Sequence, residues 1–100
     1  MNNDMPRAPD RLKIGTLGVG RLRVVTPITV TIDTENDDFI AEAEELAEFG
    51  FGKDRAEAIA DLQHALVELY YTLEEDQNRL GPDLAQLWDV MQRRVEKVDR

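Results

Sequence analysis

Residues 28–52 read ITVTIDTENDDFIAEAEELAEFGFG, and residues 53–76 read KDRAEAIADLQHALVELYYTLEED. In the first stretch apolar residues tend to alternate with polar ones, which is the period of a β-strand with one buried face. In the second stretch apolar residues recur every three or four positions, which is the period of an amphipathic helix. The change of period predicts an antiparallel sheet followed by a long helix that packs on one of its faces.

Three strands and one turn account for residues 28–52. The strands are predicted at residues 28–33, 39–46 and 49–52. Residues 34–37 form the first turn, because Asn and Asp side chains tolerate left-handed backbone and bond to their own loop. The sheet face that packs on the helix is expected to carry Ile28, Val30, Ile32, Phe39, Ala41, Phe49 and Phe51.

The long helix is expected from about residue 55 to about residue 76. Asp54 followed by Glu57 is a capping-box-like start. The main apolar stripe faces the sheet, and a weaker stripe on the far side needs a cover, which either a C-terminal helix or a second copy of the chain can supply. The main stripe is Ile59, Leu62, Leu66, Leu69 and Leu73, and the weaker one is Ala60, His64, Val67 and Tyr71.

The two ends of the chain are read from shorter signals. Gly81-Pro82-Asp83 predicts a short C-terminal helix, because Pro is favoured in the first turn and Asp suits the positive end of the helix dipole. Gly18-Val19-Gly20 lies between two β-like runs and indicates a hairpin. Residues 1–10 are predicted to be a flexible tail, and residues 11–100 a single α+β domain with three or more antiparallel strands. The apolar stripe of the C-terminal helix is Leu84, Leu87, Trp88, Met91 and Val95.

Composition excludes most enzyme chemistries. The 100 residues contain no Cys and no Ser, so disulfides, thiolate metal sites and a serine or cysteine nucleophile are absent. The one histidine, His64, lies off the apolar stripe and is expected at the surface. We therefore expect no enzymatic activity and no cofactor. No signal-peptide core and no run near 18 apolar residues is present, which by default favours a cytoplasmic, bacterial-type protein.

Negative charge is concentrated in the middle of the chain. The net charge is −9, yet residues 1–23 carry five basic and two acidic residues. Residues 24–52 contain eight carboxylates and no Lys or Arg. This segment would be repelled by a phosphate backbone, so a basic protein is the expected partner, and direct binding to nucleic acid is not. The eight carboxylates are Asp33, Glu35, Asp37, Asp38, Glu42, Glu44, Glu45 and Glu48.

The same segment has some of the carboxylate spacing of a metal site. Residues 33–44 place acids at positions 1, 3, 5 and 12, as in a calcium-binding EF-hand loop. The sixth position is Asp38 instead of the glycine that the sharp turn needs, and the flanking segments read as strands. Glu42 and Glu44 as a magnesium pair lack a nearby base or lysine. The segment is therefore interpreted as a solvated acidic turn with no metal.

These residues together resemble the HicB-like antitoxin family. The resemblance covers about residues 28–77, and the Pro-Gly that usually precedes the third strand is replaced here by Leu46-Ala47-Glu48. Only about twenty residues follow the long helix, enough for one helix but not for the DNA-binding domain that many relatives carry. The matching segments are Asp38-Phe39-Ile40-Ala41, Leu46, Gly50-Phe51-Gly52, Glu57-Ala58 and Leu66-Val67-Glu68-Leu69-Tyr70.

The resemblance implies a β-β-β-α fold, similar to a reduced ribonuclease H domain without nuclease activity. It also implies that the protein neutralises a small basic mRNA-cleaving toxin of the HicA type. The alternative is an oligomeric adaptor or scaffold with no toxin. In either case we expect a homodimer or higher oligomer with Tyr71 and Trp88 near the contact. The expected toxin-binding residues are Asp37, Asp38, Glu42, Glu44, Glu45 and Glu48, with Thr29 and Thr31 on the same open face.

Overall fold

The chain forms an α+β structure in the computed structural model, which describes residues 10–98. The predicted sheet, long helix and short C-terminal helix are confirmed. A short 3-10 turn, Glu44–Leu46, takes the place of the predicted end of the second strand. In chain order the elements are β1 (Asp10–Ile14), β2 (Leu22–Val24), β3 (Ile28–Glu35), β4 (Asp38–Ala43), β5 (Glu48–Gly52), α1 (Arg55–Glu75), α2 (Pro82–Arg94) and β6 (Val95–Lys97).

The main sheet is antiparallel throughout, with the strand order β1-β3-β4-β5. β3 and β4 form a hairpin whose two turn residues, Asn36 and Asp37, have φ values of 52° and 70°. Positive φ at both positions is the requirement of a type I′ hairpin turn, and Asn and Asp adopt it at low cost. The turn was predicted in this place, although β3 extends two residues further, through Thr34 and Glu35.

The N-terminal hairpin prediction is wrong. β1 pairs with β3, and β2 pairs instead with β6, a strand that periodicity did not predict. Arg23 and Glu96 form an ion pair across this small second sheet, and the Val25 amide donates to the Arg94 carbonyl at 2.8 Å. β1 begins at Asp10, inside the predicted tail; the rest of that tail, residues 1–9, lies outside the described residues, as do residues 99 and 100.

α1 packs on β4 and β5 and begins where the capping signal predicts. The Glu57 amide donates to the Asp54 carboxylate at 2.8 Å, and the Glu57 carboxylate accepts from the Lys53 amide at 2.8 Å. Leu62, Leu66 and Leu73 are buried in the hydrophobic core. Within residues 10–98, neither helix combines the length and the apolar composition that crossing a membrane demands.

Gly50 and Gly52 set how closely α1 approaches β5. A Cβ atom at Gly50 would lie 2.2 Å from the Leu62 amide nitrogen, and one at Gly52 would lie 2.6 Å from the Ala58 nitrogen. Because the helix backbone rests on the strand, the inward positions of β5 admit no side chain. Phe49 and Phe51 therefore point away from α1, and the prediction that they pack on the helix is wrong.

α2 packs against the C-terminal half of α1. Trp88 is buried with its ring edge-on to Tyr70 at 5.1 Å, and Met91 is fully buried. Two members of the predicted apolar stripe behave differently. Leu84 is 48% exposed in the first turn, and Val95 is buried outside the helix, as the first residue of β6.

Candidate functional site

The face of the main sheet opposite α1, called here the open face, brings Thr29, Thr31 and Glu42 of the predicted binding residues together. Strand alternation and register define it. In one cross-strand row Arg11, Thr31, Glu42 and Phe49 lie side by side. In a parallel row Asp33, Ile40 and Phe51 do so. Thr29 also lies on this face, opposite Lys13, as the alternation predicted.

Three apolar residues form an aromatic strip on the open face: Ile40, Phe49 and Phe51. The two phenyl rings are stacked, with centroids 6.4 Å apart and planes at 17°. Phe49 is 46% exposed and Phe51 is 56% exposed. Ile40 is half-buried directly across from Phe51. The strip follows β5, at one margin of the sheet.

Charge on the open face changes sign across the sheet. Arg11 and Lys13 project from β1, and the carboxylates of Asp33 and Glu42 lie beside the aromatic strip. A shallow depression of 240 Å³ lies between them at one end of the face. Its lining residues are Arg11, Thr29, Thr31, Glu42, Glu44 and Glu45.

The six predicted partner-binding acids do not form one surface. Asp37 is exposed at the tip of the β3–β4 hairpin, and Asp38 follows it with its carboxylate 2.9 Å from the Lys53 ammonium. Glu42 lies four residues further along β4, about 13 Å away at 3.3 Å per residue. Glu44 and Glu45 follow in the 3-10 turn, where Glu45 binds the Arg94 guanidinium at 2.6 Å.

Glu48 lies on the other side of the sheet from Glu42. It pairs with Ala43, whose side chain is buried under α1, so its own side chain points toward the helix. Burial raises the pKa of the Glu48 carboxyl; a hydrogen bond from the Phe49 amide acts in the opposite direction, and the Glu68 charge adds to the rise. Glu48 therefore does not share a surface with Glu42, and the structure separates it from the acids of the open face.

Tyr71 and Trp88, the predicted oligomer contacts, lie on the helical side of the molecule. Trp88 retains only 8% of its surface because Tyr70 covers it within the same chain. The Arg21 guanidinium lies over the Tyr71 ring at 5.6 Å. Part of the weaker stripe of α1 is covered by the loop before β2, where Leu17 is buried and the Thr16 carbonyl accepts from Gln63 at 2.9 Å. The oligomeric state stays a prediction.

His64 has the exposed position that its place on the helix predicts. Its side chain is 72% exposed, with Nε2 3.2 Å from a Glu68 carboxylate oxygen. In the portion of the chain from residue 10 to residue 98, no three His, Asp or Glu side chains converge in a way that could hold a metal ion. The acids of residues 33–44 instead follow the two arms and the tip of a hairpin.

Sequence reasoning missed the aromatic strip. The alternation of Phe and Gly in residues 49–52 predicts that the phenylalanines face the helix, if the larger apolar residues are taken to be the buried ones. Alternation alone does not say which of the two sets of side chains is buried. The signal that could have found the strip is the pair Gly50 and Gly52, since glycines in a strand often mark close approach of another backbone. Two inward glycines would leave both phenylalanines facing outward.

Comparison with family models, with curated proteins and with solved structures finds no match to this chain.

Proposed function

We propose that this protein binds and silences a small basic RNA-cleaving toxin of the HicA type, as a HicB-like antitoxin. The observation that carries the proposal is the open face, where exposed aromatic side chains adjoin carboxylates and which neither helix of residues 10–98 covers. Large apolar groups exposed beside polar ones are typical of protein-binding surfaces. The charge of the neighbouring carboxylates favours a basic partner.

The order of the elements supports the resemblance on which the toxin class rests. β3, β4, β5 and α1 form an antiparallel β-β-β-α unit from Ile28 to Glu75. The segments that resemble the family lie within this unit or at its end. β1 adds a fourth strand and α1 packs on one face of the sheet, so within residues 10–98 the unit retains one sheet face without a helix.

Unneutralised charge supports a basic partner. Lys53 and Arg94 pair with two of the eight carboxylates of residues 24–52, Asp38 and Glu45. Among residues 10–98, the other six have no Lys or Arg within ion-pair distance. An enzyme that grips RNA must present Lys and Arg to phosphates. Carboxylates on the open face and at the hairpin tip can occupy those side chains in place of RNA.

The acids are expected to act on the rate of association more than on the final affinity. Charges at the rim of an interface steer the encounter of two proteins, and salt screens this effect. Asp37 and Glu44 are exposed at opposite ends of β4 and suit this role. Asp38 and Glu45 are held by Lys53 and Arg94, so they contribute less field to an approaching partner.

Co-expression tests the function. The protein encoded by the adjacent reading frame is expressed from an inducible promoter, with and without this chain, and growth is followed. We expect that protein to be basic, to arrest growth by itself, and to co-purify with this chain when growth is rescued. If it neither arrests growth nor co-purifies, the antitoxin function is wrong.

A matched pair of triple variants tests the contribution of charge. Asp37→Asn/Glu42→Gln/Glu44→Gln removes three carboxylates from the open face and hairpin. Glu68→Gln/Glu75→Gln/Asp83→Asn removes three from the helices, so the net charge changes equally. We expect the first variant to associate with the toxin about 10-fold more slowly at low salt, and the second to match the wild type. If both variants associate equally slowly, net charge alone explains the association rate, and the acids of the open face and hairpin have no specific role.

A homo-oligomeric scaffold is the second candidate function. The separation of basic residues on β1 from the aromatic strip and its carboxylates on the open face favours it. Two copies related by a two-fold axis parallel to the strands would place Arg11 of one copy over Phe49 of the other, because the two residues lie in one cross-strand row on opposite edge strands. Cations bind favourably over phenyl rings. Light scattering at micromolar concentration distinguishes the candidates: a dimer that Arg11→Gln/Lys13→Gln dissociates favours the scaffold, and an 11 kDa monomer excludes it.

A further inference from the structure

The fold does not require the exposed rings of Phe49 and Phe51. The core on the inner face of β5 is made by Gly50 and Gly52 against the backbone of α1, and both phenylalanines point the other way. Any residue of high strand propensity would serve at these outward positions. Two stacked rings, half of whose surface is in water, are instead typical of a binding surface.

We infer that the aromatic strip of Ile40, Phe49 and Phe51 anchors the partner, and that its occupant is a segment of a basic protein with an apolar side chain flanked by Lys or Arg. The inference rests on the proposed function and adds to it the residues that provide affinity. Interface energy is concentrated in a few apolar or aromatic anchors, while the surrounding charges contribute mainly rate and orientation.

The register of the strands fixes the geometry of the occupant. Asp33 lies directly across Ile40 from Phe51, and Glu42 lies directly across from Phe49. Adjacent strands are about 4.8 Å apart. Glu42 is therefore one strand spacing from Phe49, and Asp33 is two strand spacings from Phe51. An apolar side chain seated on the rings would place a neighbouring Lys or Arg over Asp33 or Glu42.

The partner docks on the face of the sheet and not by adding a strand to its edge. β5 is the edge strand, and at Phe51 its outward amide already donates to the Asp61 carboxylate of α1 at 3.0 Å. Strand addition requires such main-chain groups to be free. The rings of Phe49 and Phe51 stand on the open face, where Asp61 does not reach.

Charge argues against a nucleic acid as the occupant. Aromatic side chains on an open sheet also stack on unpaired RNA bases, but RNA-binding sheets combine them with basic residues that hold the phosphates. Here the neighbours of the rings are Glu42 and, across Ile40, Asp33. Phosphates in that position would be repelled, whereas Lys and Arg would be attracted.

The test compares ring removal with ring retention. Phe49→Thr/Phe51→Thr keeps strand propensity and removes both rings, and Phe49→Tyr/Phe51→Tyr keeps the rings. Leu84→Thr is the matched control, because Leu84 is an exposed apolar residue on α2. Each variant is first shown by circular dichroism to be folded. The probe is the protein of the adjacent reading frame, made inactive by substitution of its catalytic residue, and its binding is measured by surface plasmon resonance.

We expect the Thr variant to bind at least about 30-fold more weakly, mainly through faster dissociation, which is the loss typical of a central anchor. The Tyr variant and Leu84→Thr should bind within about threefold of the wild type. If the wild type binds and the Thr variant binds equally well, the inference is wrong while the proposed function stands. If the wild type does not bind at all, both fail.

Two further outcomes would also overturn the inference. Light scattering compares the wild type with the Thr variant, each alone; a wild-type dimer that becomes a monomer in the variant would make a second copy the occupant. Fluorescence anisotropy with a labelled oligouridine tests nucleic acid. Binding of that oligonucleotide by the wild type and its loss in the Thr variant would make RNA the occupant.

Discussion

The two faces of β5 differ in both the size and the exposure of their residues. Inward, Gly50 and Gly52 let the backbone of α1 rest on the strand; outward, Phe49 and Phe51 stand in water. The larger apolar residues are thus on the exposed side and the smallest residues on the buried side. In this strand the room left by the helix, and not the hydrophobicity of the side chain, decides which way each residue points.

The inner face shows what close packing demands. Ala41 and Ala43 of β4 are fully buried beside Gly50, so the sheet surface under α1 is lined with small residues. Larger leucines from the helix fill the remaining volume, among them Leu62 and Leu66. The open face has no such constraint, and its residues are free to be selected for binding.

The largest expected effect comes from adding a side chain to the inner face. Gly50→Val should destabilise the protein by about 3 kcal/mol or more, because the helix backbone must move away from the strand. Urea unfolding measures the loss. Gly20→Ala is the control, since a Cβ at Gly20 meets nothing within 4 Å. A Gly50→Val protein as stable as the control would show that the helix does not rest on β5.

Removing volume from the inner side should have a comparable cost. Leu66 is fully buried, and Leu66→Ala is expected to lower the free energy of unfolding by about 2–5 kcal/mol through lost contacts and a cavity. At about 4–8 °C per kcal/mol for a domain of this size, the melting temperature falls by roughly 8 °C or more. Leu84→Ala, on the exposed part of α2, should shift it far less.

The open face should tolerate the same kind of change. Phe49→Thr/Phe51→Thr is expected to alter stability by less than about 1 kcal/mol, because half of each ring is already in water and Thr favours strands. Thermal unfolding provides the measurement. A loss comparable to that of Leu66→Ala would mean that the aromatic strip holds the sheet together, and the contrast between the two faces would disappear.

The smallest effect concerns Glu48, which points toward the helix side from the same strand. Burial raises the pKa of its carboxyl in the folded protein above the value of 4.5 for the free side chain. The folded state therefore binds this proton more tightly than the unfolded state, and stability falls as the pH rises through this range. Glu48→Gln should match the wild type near pH 4 and melt slightly higher at pH 7. A difference that grows toward low pH would contradict the raised pKa.

Periodicity predicted the parts of the fold whose signals are local. The Asp54 cap, the leucine spacing of α1 and the Asn36-Asp37 turn each depend on a few neighbouring residues, and the structure has all three. Pairing between distant segments has no such signal. Val95 continues the apolar spacing of α2 yet begins β6, because β2 supplies a pairing partner more than seventy residues away in sequence.

The candidate site was predicted in part for the same reason. Composition located the acidic segment, and alternation placed Thr29, Thr31 and Glu42 on one face. The direction of Glu48 and the pairing of Glu45 with Arg94 depend on the 3-10 turn after β4 and on the position of α2, which no local pattern specifies. The orientation of Phe49 and Phe51 depends on the approach of α1, which only the two glycines indicate.

The pairing of β2 with β6 has a consequence for the order in which the molecule folds. The β3–β4 hairpin closes over two residues, whereas Arg23 and Glu96 are 73 residues apart, so joining them costs more chain entropy. The two-stranded β2–β6 sheet is expected to form after the β3–β4 hairpin and α1, and to open before them. Native-state hydrogen exchange should show it: the Val25 and Val98 amides, bonded to Arg94 and Arg21, would exchange through a partial opening that leaves the β3–β4 amides protected.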